Sequence, residues 1–278
     1  MGAAALALLG AASWGVGDFL GGIAARRIHV LTVLIVSQGA GLVGALVWVV
    51  VARPALPGIG ELLAAAGAGA CGAIGLGALY RGMAVGAMGI VAPISAAGPV
   101  VPLAVDLAKG ESPSAVQWLG VVVVLAGIAM LAREPGRPVR GGLGAGVSLA
   151  LVAALGFGLF FVGLDAAAEG GVEWAILGVR GTSTLLACAA ALAVSATLAP
   201  PARLLPTLVA VGLFDTGANV LVAFATTRGS VGIVAVLSAL YPVVTVLLAR
   251  LALGESLDRS RRLGGVLALA GAAAVAAG

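Results

Sequence analysis

The chain has 278 residues, of which 62% are hydrophobic and 9% charged, and its mean hydropathy is +1.20. A water-soluble domain carries about a quarter charged residues, so 15 basic and 11 acidic side chains cannot solvate a fold of this length. Composition therefore excludes a soluble globular protein, and the net charge of +4 reads as basic loops on one side of a bilayer rather than as affinity for nucleic acid.

A transmembrane helix needs about 20 apolar residues. Apolar runs between charges and Gly/Pro clusters place spans at residues 3–24, 30–52, 61–80, 89–108 and 116–132, followed by 142–164, 174–198, 204–226, 231–252 and 261–277. Unpaired backbone groups are too costly in hydrocarbon for anything but helices or closed barrels, and no ten-residue alternating segments suggest a barrel. The expected fold is an all-α integral membrane protein of about ten helices without an extramembrane domain.

The first span lacks a basic n-region and contains Trp14 and Asp18, so no cleaved signal peptide is expected. His29 enters the second span and reads as an interfacial residue, with a proton relay as the alternative. Trp48, Trp118 and Trp174 sit near span ends and suit an interfacial belt. Cys71 and Cys188 fall in apolar runs without a CxxC, so neither zinc nor a disulfide framework is expected, and no cofactor is implied. The chain has 44 glycines. The Gly17/Gly21 and Gly82/Gly86 spacings, and Gly67, Gly69, Gly72, Gly75 and Gly77 in the third span, suit close helix packing. Pro93, Pro99 and Pro102 interrupt the fourth span and Pro242 the ninth, freeing backbone carbonyls.

Internal similarity is the most informative feature. GIVAPISAAGPVV from Gly89 aligns with GIVAVLSALYPVV from Gly232, nine of thirteen positions being identical. Gly110-Glu111-Ser112 recurs as Gly254-Glu255-Ser256, and Leu119-Gly120 as Leu263-Gly264, with a one-residue shift. A weaker match sets Gly15, Gly17 and Phe19 over Gly156, Gly158 and Phe160. The expected units are a first five-helix repeat over 1–132, a polar linker over 133–141 and a second five-helix repeat over 142–278. An odd number of spans per unit makes the second copy enter from the opposite side, which gives inverted repeats.

Counting Lys and Arg by side puts Arg53, Lys109 and Arg228 with the termini. Arg26, Arg27, Arg81, Arg133, Arg137, Arg140, Arg203, Arg250, Arg259, Arg261 and Arg262 fall on the other side, which places both termini outside. The five-plus-five repeat, the Trp14-Gly15 pair and the Gly-Glu after the fourth and ninth spans resemble the EamA-type members of the drug/metabolite transporter superfamily over the whole chain. That resemblance implies cytoplasmic termini, against the charge count, and it implies efflux. In that family the second span of each repeat often carries an arginine. Arg180 matches it in the second half, and Gln38 stands at the corresponding place in the first.

Ionisable groups deep in a bilayer are costly and are functional candidates by default. Asp18, Arg180 and Asp215 qualify, and Asn219 shares a helix face with Asp215. Arg180 is expected to pair with Asp215 or bind an anionic group, as a static pair or one that substrate or a proton breaks. Asp18 is expected either to snorkel toward Arg26 or, with Trp14 and Gln38, to form an opposing cavity wall. Tyr80 and Tyr241 are candidate hydrogen-bond donors to a pocket. No Walker loop, HExxH or GxSxG occurs, and Gly15-Val16-Gly17 has the wrong spacing for a dinucleotide loop. The expectation is a secondary transporter, not an enzyme. It is a proton-coupled exporter of a small metabolite or drug in the plasma (bacterial inner) membrane, with an uncoupled facilitator or exchanger and, remotely, a lipid-directed membrane enzyme as alternatives. Expected partners are a small-molecule substrate, protons and lipid but no nucleic acid, with a monomer as the default state and a dimer through glycine faces as the alternative.

Overall fold

The computed structural model describes residues 1–85, 91, 94–132, 143–193, 199–253 and 258–278. Among these residues the chain is helical, without strands. The helices are α1 (Ala3–Ala25), α2 (Val30–Ala52), α3 (Ile59–Val85), α4 (Val100–Ala108), α5 (Ala115–Leu131), α6 (Leu143–Ala168), α7 (Val172–Ala193), α8 (Leu205–Thr226), α9 (Val231–Ser238), α10 (Tyr241–Leu253) and α11 (Arg259–Ala277). The expected linker at 133–141, together with Gly86, Gly89, Pro93 and Gly254-Glu255-Ser256, lies outside the described residues.

Seven stretches are long and apolar enough to cross a membrane: Ala3–Ala25, Val30–Ala52, Ile59–Gly82, Gly146–Ala168, Val172–Ala193, Ala202–Thr226 and Val231–Leu253. Each coincides within a few residues with an expected span. The expected span at 116–132 is a shorter apolar helix, Ala115–Leu131. α11 covers the span expected at 261–277, and α4 is the described carboxyl-terminal part of the one expected at 89–108. Large apolar side chains such as Val43, Val51, Leu63, Leu185, Leu192 and Val266 point outward, as a lipid-facing surface requires.

Local sequence sets the helix ends. Ser114 and Gln117 form a reciprocal capping box on α5, and Asp258 caps α11 by accepting from Arg261 N at 2.8 Å. His29 Nδ1 accepts from Leu31 N at 3.2 Å, so this histidine caps α2. The ninth span, in which Pro242 is expected to interrupt the helix, is broken by a turn at residues 239–240. Pro242 has no N–H to offer the Ser238 carbonyl, and Val243 N bonds Leu240 O instead, at 2.9 Å. Pro99 stands at the matching place in the repeated segment and is likewise preceded by a turn, at 96–99. The two related segments break alike.

Helix neighbours come in couples. α1 packs on α8, as α6 packs on α3; α2 on α8, as α7 on α3; and α1 on α9, as α6 on α4. α2 also meets α7, α4 meets α9, and α5 pairs with α11. The last pair is a glycine contact. A Cβ on Gly264 would lie 2.7 Å from both Gly127 O and Leu131 N, and one on Gly120 would lie 2.8 Å from Gly271 O. α9 is the most enclosed element, with all its residues but Ile233 buried.

Two ends of the bundle are defined by contacts between termini and loops. At one, the terminus end, Gly229 abuts Ala3, Gly278 abuts Ser114, and Trp174 Nε1 donates to Ala55 O at 3.0 Å. At the other, the far end, Arg261 Nε donates to Leu131 O at 3.1 Å. The expected glycine packing holds in part. Gly69, Gly72 and Gly75 press on Val179, Phe160 and Phe157, whereas Gly67 and Gly77 have nothing within 4 Å and Gly17 and Gly21 make only ordinary contacts.

Candidate functional site

Arg180, on α7, is the largest fully buried side chain among the described residues, 2% exposed. Its NH1 donates to Asp215 Oδ2 of α8 and to Gln38 Oε1 of α2, both at 2.6 Å. Asp215 Oδ1 accepts from Trp14 Nε1 of α1 at 3.0 Å, and Ser183 Oγ donates to Gln38 Oε1 at 3.1 Å. Four helices thus converge on one charge-assisted network. Both bonds from the guanidinium are short, as hydrogen bonds with a charged donor are.

Glycine makes the room. A Cβ on Gly41 of α2 would lie 3.3 Å from Arg180 Cδ and 3.4 Å from Gly212 O, so the guanidinium stem runs where two helices almost touch. The pairing is needed energetically, because an isolated charge would lose its hydration with no return. It does not satisfy the arginine fully. Among the described residues Nε and NH2 have no hydrogen-bond partner, and the neighbouring Thr216 Oγ1 also lacks one. Asp215 keeps a 31% exposed side chain. The network is therefore sealed at the arginine and open at the carboxylate.

Rings wall one side. Trp14 lies with ring centroids 6.0 Å from Phe161 and 6.3 Å from both Phe160 and Tyr241, and Phe160 and Phe161 meet edge-on at 5.4 Å. Asp18, one turn beyond Trp14, is exposed and within electrostatic reach of Asp215, Tyr80 and Tyr241. No hydrogen bond or ion pair engages it among the described residues. Of the residues expected to form a site, Trp14, Gln38, Arg180 and Asp215 are bonded together, and Tyr241 and Asp18 border them. Tyr80 is 43% exposed near the end of α3. Asn219 is buried with Oδ1 unpartnered and makes no bond to the network.

The sequence reading missed Ser183 and the Phe160/Phe161 pair. Ser183 stands three residues beyond Arg180 and so shares its face, a signal that was available. It also missed Asp106, which lies in the last turn of α4 and is 1% exposed. Its Oδ2 accepts from Ser230 Oγ and, at 2.7 Å, from Gly232 N in the first turn of α9. Ser230 Oγ in turn accepts from Ile233 N. Nearby, Lys109 Nζ lies 3.7 Å from Asp165 Oδ2. This second polar cluster sits at the terminus end.

Trp14→Phe keeps an aromatic ring but removes the donor to Asp215. A hydrogen bond to a charged group is worth about 1.5–3 kcal/mol. The variant is expected to melt several degrees below wild type in detergent. Equal melting of Trp14→Phe and wild type would show that the 3.0 Å contact carries no weight.

The chain matches the EamA-like transporter family over residues 1–133 and 144–277. No curated protein matches it significantly. Solved structures do, and one of them, described only as the crystal structure of a protein, is 18% identical with a TM-score of 0.80. That match covers 98% of this chain and 95% of the other. At such identity the likeness shows the fold alone.

Proposed function

The chain belongs to the EamA-like transporter family, and from that premise we propose that it is a proton-coupled exporter of a small metabolite or drug that works by alternating access. Ten spans in two inverted five-helix halves enclose one substrate site. Three features support this arrangement: helix neighbours occur in exchange-related couples, the two similar segments break before Pro99 and Pro242, and Gln38 meets Arg180. A two-fold relation between the halves brings equivalent positions of the second and seventh spans together. The one hydrogen bond between Gln38 and Arg180 has that character.

The observation that carries the site is the buried Arg180 with an unfilled guanidinium edge, held to a half-accessible Asp215. An arginine offers five donors, and among the described residues only NH1 finds acceptors. Substrate or a proton arriving at Asp215 competes with Arg180, and the freed guanidinium rebinds when the site empties. Such an exchange links occupancy to the packing of α1, α2, α7 and α8, which is what a coupled carrier needs.

The test is reconstitution into liposomes with a trapped pH dye, with amino acids, sugars, nucleobases and cationic drugs added in turn. Wild-type protein is expected to move protons when its substrate is present, and Asp215→Asn to lose that movement by at least tenfold while remaining folded. Substrate movement without protons would turn the reading into a facilitator or exchanger. Proton movement undiminished in Asp215→Asn would remove Asp215 from the coupling role.

A further inference from the structure

If the protein rocks between two inverted halves, as the preceding reading holds, then each end of the bundle must close in turn, and the two closures need not be equally strong. The terminus end is closed here by more than apolar contact. Asp106 of α4, in the first half, receives Ser230 Oγ and Gly232 N of α9, in the second. A carboxylate is favourable at a helix amino terminus because it meets unpaired N–H groups and the positive end of the helix dipole. Packing tightens the fit. A Cβ on Gly232 would stand 2.6 Å from Asp106 Oδ2 and 2.7 Å from Leu103 Cα, so only glycine lets the two helices meet. Leu103, which meets Gly232, and Val231 beside it are both buried. A recess of about 260 Å³ lined by Glu111, Ser112, Gln117, Ser230 and Ile233 stops at it from outside. Asp18 and Tyr80, in contrast, are exposed and lie toward the far-end termini of their helices.

The repeat shows which residues stand at the matching positions of the opposite end. The identical GIVA segments place Gly232 over Gly89 and hence Ser230 over Ala87. Asp106 falls over Ala249, or over Arg250 after the one-residue shift that follows. No hydroxyl replaces the serine, and no carboxylate replaces the aspartate under either alignment. We propose that Asp106, Ser230 and the Gly232 amide form a one-sided latch across the two halves, which makes closure at the terminus end the resting state. Asp106 is a positioning residue, remote from the substrate network. It sets which end is open without touching what is carried.

Loosening the latch must act in opposite directions at the two ends, which a merely structural cap would not do. With Cys71 and Cys188 replaced by alanine, single reporter cysteines are placed at Ile233 for the terminus end and at Tyr80 for the far end, and labelled with a membrane-impermeant maleimide. Asp106→Ala is expected to speed labelling at position 233 by about tenfold, the least that a lost hydrogen bond to a charged group is worth, and to slow it several-fold at position 80. Ser230→Ala, which leaves the Gly232 amide bond in place, shifts both rates in the same senses by less, and it decides the matter if Asp106→Ala does not fold. Faster labelling at 233 without slowing at 80 would reduce the cluster to a helix cap, and unchanged rates at both would overturn the latch altogether. Failure of the latch separates from failure of the transporter reading. Protein that exchanges solute in liposomes while both labelling rates stay fixed loses only the latch, whereas protein that exchanges none removes the premise of both.

Discussion

Arg180→Met is expected to lower stability by about 3 kcal/mol and to abolish transport. Methionine fills much of the same volume, so the loss is not a cavity effect. Asp215 and Gln38 Oε1 both lose their arginine donor, and breaking one side of a buried ion pair typically costs about 3–5 kcal/mol. The lower end applies because Asp215 is 31% exposed and water can reach it. The decisive comparison is Arg180→Met combined with Asp215→Leu. Replacing both charges by apolar groups removes the uncompensated carboxylate, and such double replacements are often neutral or stabilising. Thermal melting of the double variant should therefore recover toward wild type while transport stays lost. A single variant as stable as wild type would mean that the 2.6 Å contact contributes nothing to holding the helices.

Gly264→Val is the second large effect, and it arises from shape rather than charge. Its Cβ would stand 2.7 Å from Gly127 O and Leu131 N and 2.8 Å from Met130 Cβ. Two of these are backbone atoms and cannot turn aside. α5 and α11 make few contacts with the other helices, so their mutual packing is most of what holds each in place. Overpacking usually costs about 1–3 kcal/mol. Here the loss falls on a helix pair with little other support, and the yield of monodisperse protein on size-exclusion chromatography should collapse. Gly77→Ala is the control. Nothing lies within 4 Å of Gly77, and alanine favours helix over glycine, so that variant is expected to express at least as well as wild type. Normal behaviour of Gly264→Val would show that the pair tolerates separation.

The helical layout was legible because hydropathy measures directly what a bilayer demands. Seven apolar runs reappear as long helices with shifts of only a few residues at most boundaries. The break in the ninth span was half legible. Pro242 announced lost hydrogen bonding, but whether a proline kinks a helix or ends it depends on what packs around it, and here α9 is buried on nearly every side. At the candidate site, charges in apolar runs drew attention to Arg180 and Asp215 because so few ionisable groups are affordable in hydrocarbon, and the two are paired at 2.6 Å. Trp14 needed a contact 201 residues away to acquire its role, and no local pattern encodes that. Asp106 stands two positions from the end of the span expected at 89–108, where sequence alone does not distinguish a buried carboxylate from one at the interface. Its burial follows from the approach of α9, a tertiary fact. Asn219 shares a face with Asp215 but makes no bond to the network among the described residues, because a common helix face does not by itself bring a partner within reach.

The proposed carrier offers one site, built on Arg180 and Asp215, alternately to the two sides of a membrane. Solute counterflow tests it most directly. Liposomes loaded with an excess of the unlabelled substrate found in the pH-dye panel are diluted into a trace of the same compound in labelled form. Wild-type protein should accumulate label transiently above its equilibrium level, because one shared site exchanges inner for outer solute. The Arg180→Met/Asp215→Leu variant should fold and show no overshoot. An overshoot of wild-type size in that variant would place the substrate site elsewhere and leave the buried network a purely structural tie.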